Sequence, residues 1–325
     1  MISVPNLKIS RQNGLINAMF SVFSQFHYPI AVRYVKYTEF LGDSYHHHDF
    51  PQVWYCLSGK YTHIVDDTVY ECKGGSMVIV PPGSFHNYAI EQGNTTELIC
   101  FECTYFFFSD FSEPHRTNII SNMFCQHFSE ELGFSRKILI EFSGEERAEL
   151  EKLLISLSKE DYKRKIVDFD AVKRKIKKIF SLPSFALEDT ERKKATAFIL
   201  NKLTPLMDSI DYMNKNYSKK IHREELIKIS TLCQTDYFKL IKKIVGTTYS
   251  IYLQMIRLRR AQTMITFGTF SFTYIADKCG FGNRTYMGNV FKKYYGKTMT
   301  EDRAEREKHI AEYPHMIMTH EFWEK

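Results

Sequence analysis

Two textures of apolar and polar residues divide this chain. Between residues 31 and 102 the apolar positions alternate or come in short runs, at Ala31–Tyr37, Val53–Leu57, Tyr61–Val65, Met77–Val80 and Glu97–Glu102. Turn-forming residues separate them: Ser58-Gly59, Asp66-Asp67, Lys73-Gly74-Gly75, Pro81-Pro82-Gly83 and Gln92-Gly93-Asn94. Short strands punctuated in this way predict a small antiparallel barrel or jelly roll. From residue 144 onward the period becomes helical. Leu150, Leu153, Leu154 and Leu157 stripe a charged segment, 144–161, and Val172, Ile176, Ile179 and Phe180 repeat the pattern over 170–180.

Further on, one phrase is written twice. Ile241-Lys242-Lys243-Ile244-Val245-Gly246 returns 50 residues later as Phe291-Lys292-Lys293-Tyr294-Tyr295-Gly296. Each copy ends a helix at glycine and follows a shorter helix and a tight turn. In the first copy the short helix is 224–229, the turn 230–233 and the second helix 234–245, packed through Tyr237, Leu240, Ile241 and Ile244. In the second, 274–279 leads, Gly280-Phe281-Gly282 turns, and 283–295 follows, with Asn283 as N-cap and Tyr286, Met287, Val290, Phe291 and Tyr294 inward. Two helix-turn-helix units fit this spacing. Between them, 249–266 lacks Gly and Pro and reads as one helix of about 27 Å. Such a strut spaces two recognition helices near the ~34 Å that separates successive major grooves on one face of DNA.

Charge changes the picture by where it sits. The whole chain carries a formal +6, but residues 205–303 hold 17 Lys and Arg against 8 Asp and Glu, whereas residues 1–140 hold 9 against 13. A basic excess concentrated on the repeat is the electrostatic footprint of a phosphate-binding surface.

These residues resemble the arabinose-regulator (AraC/XylS) family of transcription factors, whose DNA-binding domain is two helix-turn-helix motifs joined by a long helix. The resemblance runs from about Met207 to Arg303 and is most specific at Ile275-Ala276, Lys278-Cys279-Gly280-Phe281, Tyr286 and Val290 through Thr298. Tyr252-Leu253, Arg257-Leu258 and Ala261 fit the linker. Departures are Ile227 for a small Ala, Gln234 for Pro, Ile241 for Phe and Met299 for Pro. The resemblance implies base contacts from Thr235, Phe238 and Lys239 in the first recognition helix and from Arg284, Thr285, Gly288 and Asn289 in the second, with Lys242 and Lys292 beside them. An Arg fork suits guanine, and an Asn side chain suits adenine.

In the strand-rich part, His46-x-His48-x3-Gln52-x6-Gly59 and Gly75-x5-Pro81-x-Gly83-x2-His86 have the spacing of the two cupin motifs, with Gln52 where the first motif carries Glu. Three imidazoles are competent to hold a divalent metal. Gln52 in place of a carboxylate argues for a metal-free pocket instead, and the family resemblance implies the same. No metal or other cofactor is therefore assigned. His46, His48, Gln52, Trp54 and His86 are read as an effector pocket, and the resemblance implies a sugar or related metabolite.

The expected fold class is α+β multidomain: a cupin or jelly-roll β-barrel sensor at 1–140, a helical connector and dimerisation region at 141–204, an all-α double helix-turn-helix domain at 205–303 and a tail at 304–325. In that tail 301–310 continues as a helix. The leucine stripe serves either as a homodimer contact, as the resemblance implies, or as cover for its own barrel. The resemblance also implies contact with RNA polymerase. Seven scattered cysteines point to a reducing compartment. With no signal peptide and no long apolar stretch, the expectation is a cytoplasmic protein without membrane contact. No catalytic residue is assigned, because phosphate-loop, His-Glu-x-x-His and Gly-x-Ser-x-Gly motifs are missing. The competing reading is a metal-dependent cupin enzyme, an isomerase or dioxygenase, fused to a basic helical domain.

Overall fold

The computed structural model describes residues 30–38, 41–42, 45–90, 93, 95–108, 111–134, 137–159, 168–267 and 269–304. The chain divides into two compact units whose main break falls between Thr204 and Pro205.

Among the described residues the first unit is built on nine antiparallel strands: β1 (Ile30–Tyr37), β2 (Leu41–Gly42), β3 (Gln52–Ser58), β4 (Lys60–Val65), β5 (Thr68–Lys73), β6 (Ser76–Val80), β7 (His86–Ile90), β8 (Thr96–Cys103) and β9 (Leu139–Glu141). One sheet runs β1-β8-β3-β6-β9 and the other β2-β7-β4-β5. The five apolar runs in the sequence correspond to β1, β3, β4, β6 and β8. The other four strands carry weaker signals: β2 and β9 have two and three residues. β5 is an edge strand with most side chains in solvent, so it has no apolar run to show. Its hairpin turns on Asp66 and Asp67, both at positive φ (49° and 67°), the mirror-image turn that matches strand twist.

Strand parity sorts the core. Trp54, Cys56, Tyr61, Val65, Val78, Val80, Leu98 and Cys100 form one buried cluster. Side chains of opposite parity, Val53, Tyr55, Met77, Ile79, Ile99 and Phe101, are equally buried. Helices pack over this sheet: α1 (His115–Phe124) against β6, and α3 (Gly144–Ser158) against β1 and β8. The short α2 (Ser129–Leu132) lies between them in sequence, and α4 (Phe169–Ile179) and α5 (Asp189–Phe198) complete the unit.

The leucine stripe finds its partner at home. Leu150, Leu154 and Leu157 are fully buried, and α3 also packs on α4. Polar ties fix it further: Tyr55 donates to Glu151 at 2.9 Å, and Arg147 reaches Glu151 at 2.8 Å and the Gly74 carbonyl at 3.1 Å. Leu150, Leu154 and Leu157 thus cover their own unit, the second of the two roles the sequence leaves open for this stripe.

The second unit is helical: α6 (Thr204–Asn216), α7 (Arg223–Ser230), α8 (Gln234–Val245), α9 (Tyr249–Phe267), α10 (Phe272–Lys278) and α11 (Arg284–Tyr295). Leu258, Ala261, Met264 and Ile265 of α9 pack with Ile275, Ala276, Met287, Val290 and Phe291 into one buried cluster. Residues 299–304 begin a further helix; the rest of the helix expected to 310, and the tail after it, lie outside the described residues. All seven cysteines are free thiols, and only Cys233 is exposed. Among the described residues no helix is long and apolar enough to cross a membrane.

Candidate nucleic-acid interface and effector site

The two recognition helices are built as the sequence predicts, with one correction. Asn283 caps α11 by accepting the Tyr286 backbone N–H at 2.8 Å, and Gly296 ends it in the left-handed region. Met287, Val290 and Phe291 face inward, but Tyr286, expected among them, is 47% exposed. Its hydroxyl accepts from Gln254 of α9 at 2.7 Å. Being one residue off the buried stripe, the ring stands at the edge of the helix, where the long linker side chain can hold it.

Arg284, Thr285, Asn289 and Lys292 are exposed on α11, and Gly288 is half-buried among them. The Arg284 guanidinium lies 5.5 Å from the centre of the Phe272 ring, a cation–π contact. On α8, Thr235, Lys239 and Lys242 are exposed at i, i+4 and i+7, one helix face. Phe238 is half-buried and stacks on Tyr249, with ring centres 5.9 Å apart. It is thus placed between the α8 surface and the strut rather than fully in the open.

The strut does more than set a length. Arg257 of α9 donates to the Tyr217 carbonyl at 2.7 Å and the Lys219 carbonyl at 2.8 Å, and Arg260 lies over the Tyr217 ring. The same loop receives the second turn, since a Cβ built on Gly280 would lie 2.6 Å from the Ser218 carbonyl oxygen. The 217–219 loop therefore ties together the entry to the first helix-turn-helix, the strut and the turn of the second helix-turn-helix. The resemblance marks Arg257 and Tyr286 but not their partners, which only the tertiary contacts reveal.

In the barrel, every residue read as an effector contact is buried: His46, His48, Gln52, Trp54 and His86 are each 5% exposed or less. His46 lies on no regular strand with His48. It forms an isolated bridge, exchanging backbone hydrogen bonds with His86 at 3.0 and 2.7 Å, while the His48 carbonyl accepts from Gly83 at 2.7 Å. These ties bring the rings together, with centres 4.4 Å apart for His46 and His86 and 5.0 Å for His48 and His86.

Two further groups join them that the sequence did not single out. His63 Nε2 lies 3.1 Å from His86 Nδ1, because β4 pairs with β7 and sets both side chains inward. Glu102, on β8 opposite Gln52 of β3, accepts from Gln52 Nε2 at 2.7 Å and pairs with Arg33. Gln52 in turn accepts from the Trp54 indole at 2.6 Å. Burial pushes the Glu102 carboxyl up, against the opposing pull of Arg33, Gln52 and His46. Burial, reinforced by the neighbouring imidazoles, pushes His48 and His63 down to about 3 and His86 well below its usual value. The signals that mark these two residues are a lone carboxylate in the apolar run Leu98–Cys103 and a histidine at the inward parity of β4.

Two family models match the chain. Residues 28–118 match the AraC-like ligand binding domain family and residues 234–305 a helix-turn-helix domain family. The HTH-type transcriptional activator RhaR of Mannheimia succiniciproducens is 22% identical over 262 residues, 80% of this chain and 86% of that one. The HTH-type transcriptional regulator GadX of Escherichia coli is 34% identical over 132 residues, covering 39% of this chain and 46% of the relative. A crystal structure of ToxT from Vibrio cholerae superimposes with a TM-score of 0.53 at 13% identity, covering 84% of this chain and 94% of that one. That likeness is one of fold; the two domain matches and the regulators aligned with them make this chain a member of the AraC family, a DNA-binding transcription regulator with an N-terminal ligand-binding domain.

Proposed function

We propose that the chain reads a bipartite DNA site with α8 and α11, and that a small polar effector held in the barrel adjusts that reading. The observation that carries this is the pair of outward faces at the two ends of α9: Thr235, Lys239 and Lys242 on one, Arg284, Thr285, Asn289 and Lys292 on the other. Arg284 and Asn289 supply base readout, and the lysines anchor the phosphates. Phe238, beside Thr235, offers an apolar edge to a thymine methyl, and Gly288 lets the helix approach the groove closely. The protein works in the cytoplasm as a homodimer, with its contact made by surfaces other than the leucine stripe of α3.

For the effector, four buried imidazoles with Gln52 and Trp54 favour a ligand that makes hydrogen bonds, a sugar or related metabolite, over a long acyl chain. ToxT has been crystallised bound to an unsaturated fatty acid; the polar lining here supports a different ligand class on a shared fold. Effector binding regulates DNA affinity only if the two DNA-binding arrangements bind the effector differently.

Selection of bound sequences from a random DNA pool, at two salt concentrations, tests this reading. The expected result is a motif in two parts about one helical turn apart. A pool that stays random while binding collapses with salt would reduce the basic unit to a non-specific phosphate binder.

A further inference from the structure

The hydrogen-bond directions inside the barrel admit two proton arrangements, one closed by protein groups alone and one that holds a cation, and in both the buried His63 Nδ1 has no hydrogen-bond partner. His48 Nδ1 lies 2.5 Å from the Phe50 carbonyl. A carbonyl only accepts, so Nδ1 carries the proton and Nε2 presents a lone pair. That lone pair faces His86 Nε2 at 3.1 Å. The protein alone satisfies this contact in one way: His63 Nε2–H donates to His86 Nδ1, and His86 Nε2–H donates to His48. The arrangement leaves the buried His63 Nδ1 as an acceptor with no hydrogen-bond partner.

A second arrangement places a cation between the two Nε2 atoms. His46, His48 and His86, all buried, each offer one ring nitrogen, and these atoms lie within 4.8 Å of one another. With metal–nitrogen bonds of about 2.05 Å, two nitrogens 3.1 Å apart subtend about 98°, between octahedral and tetrahedral values. The carboxylate that position 52 lacks arrives from the neighbouring strand. Glu102 is 2% exposed, its Oε2 is buried with no hydrogen-bond partner, and it lies near enough to His46 for the two to interact electrostatically.

We propose that His46, His48 and His86 bind one divalent transition ion of the zinc, cobalt or nickel class, with Glu102 as the nearby negative charge and the remaining coordination positions open to oxygen atoms of water or of the effector. Loading moves two protons within the cluster and releases none from it. The His86 proton passes from Nε2 to Nδ1 and donates to His63 Nε2, so His63 must carry its own proton on Nδ1. His86 is then held by a second imidazole and His48 by a carbonyl, the outer supports that fix ligand orientation. The site deepens the reading of the barrel as the sensing unit, but its existence stands on this geometry alone.

The test uses the full chain, freed of metal, titrated with zinc by calorimetry and with cobalt by visible absorption. One ion per chain is expected. His48→Ala and His86→Ala should each weaken binding more than about 100-fold and Glu102→Gln about 10-fold, while His115→Ala, outside the barrel, leaves it unchanged. Because the histidine variants risk unfolding the barrel, the wild-type protein supplies a second readout. Long-range nitrogen–proton NMR should show His63 and His86 changing from the Nε2–H to the Nδ1–H form on adding zinc, and His48 keeping Nδ1–H. Absence of a stoichiometric ion, equal affinity in folded His48→Ala and His86→Ala variants, or unchanged tautomers would overturn the proposal. Operator affinity measured with and without zinc separates the two readings: an ion that binds without altering DNA affinity leaves the site standing and counts against its role in sensing.

Discussion

The two helix-turn-helix units share one plan but make their turns from different materials. In the second, Gly280 and Gly282 take the positive φ values, 74° and 75°, and Asn283 closes the N-terminus of the recognition helix. In the first, the left-handed position falls on Thr231, a β-branched residue at φ 52°. Glycine enters that region freely, whereas a branched side chain is strained there by about 1–3 kcal/mol. The second turn is therefore relaxed and pressed against the 217–219 loop, and the first is held under strain by its surroundings. The two copies share the geometry of the reading head but not its local energetics.

The comparison breaks most sharply at Gly280. A methyl group there meets the Ser218 carbonyl oxygen, a backbone atom that cannot swing aside, in addition to the unfavourable φ. Gly280→Ala should destabilise the second unit by roughly 2–4 kcal/mol and abolish tight operator binding. Thermal unfolding of the full chain, with DNA binding by anisotropy, checks both. Retained stability would mean that the second turn does not depend on this close approach.

Arg284 offers the next largest effect. Its guanidinium is exposed and in cation–π contact with Phe272, so Arg284→Ala should remove about 1–3 kcal/mol of discrimination at one base position. Lys242→Ala or Lys292→Ala should instead weaken all sequences alike and lower the salt slope by about 0.9 each. Uniform weakening by Arg284→Ala as well would make it a phosphate contact and leave base readout to the rest of the two helices.

How much of this was legible in the sequence depends on how far apart the partners lie. The helices of the second unit are specified by residues three or four positions apart, so Met287, Val290 and Phe291, the Asn283 cap and the Gly296 stop could all be read directly. Tyr286 could not, because its place is decided by Gln254, more than thirty residues away. The barrel is the extreme case. His46 and His48 announce themselves by spacing, but Glu102 meets Gln52 only through β3–β8 register, and His63 meets His86 only through β4–β7 register. The inference from Gln52 to a pocket lacking a carboxylate was sound for β3 taken alone; β8 supplies the missing group.

The Asn283 cap gives a smaller effect. Its side chain satisfies one of the orphan N–H groups at the start of α11, so Asn283→Ala should cost about 1 kcal/mol. Asn283→Asp retains the acceptor and adds a charge favourable to the helix dipole. It should therefore preserve thermal stability while weakening DNA binding, through repulsion from the phosphates. If Asp weakens neither, the start of α11 does not face the backbone of the duplex.

The smallest predicted change is a gain. Thr231→Gly relieves the strained side chain at φ 52° but gives the unfolded chain more freedom, and the two terms partly cancel. The first helix-turn-helix should gain somewhat under 1 kcal/mol, a rise of a few degrees at most in the midpoint of its unfolding. The sign carries the argument: the same substitution that makes the first turn resemble the second should stabilise it, whereas Gly280→Ala, which makes the second resemble the first, should be ruinous. If Thr231→Gly lowers the midpoint, the threonine side chain makes a compensating contact, and the two turns differ in how they are supported rather than in how much strain they hold.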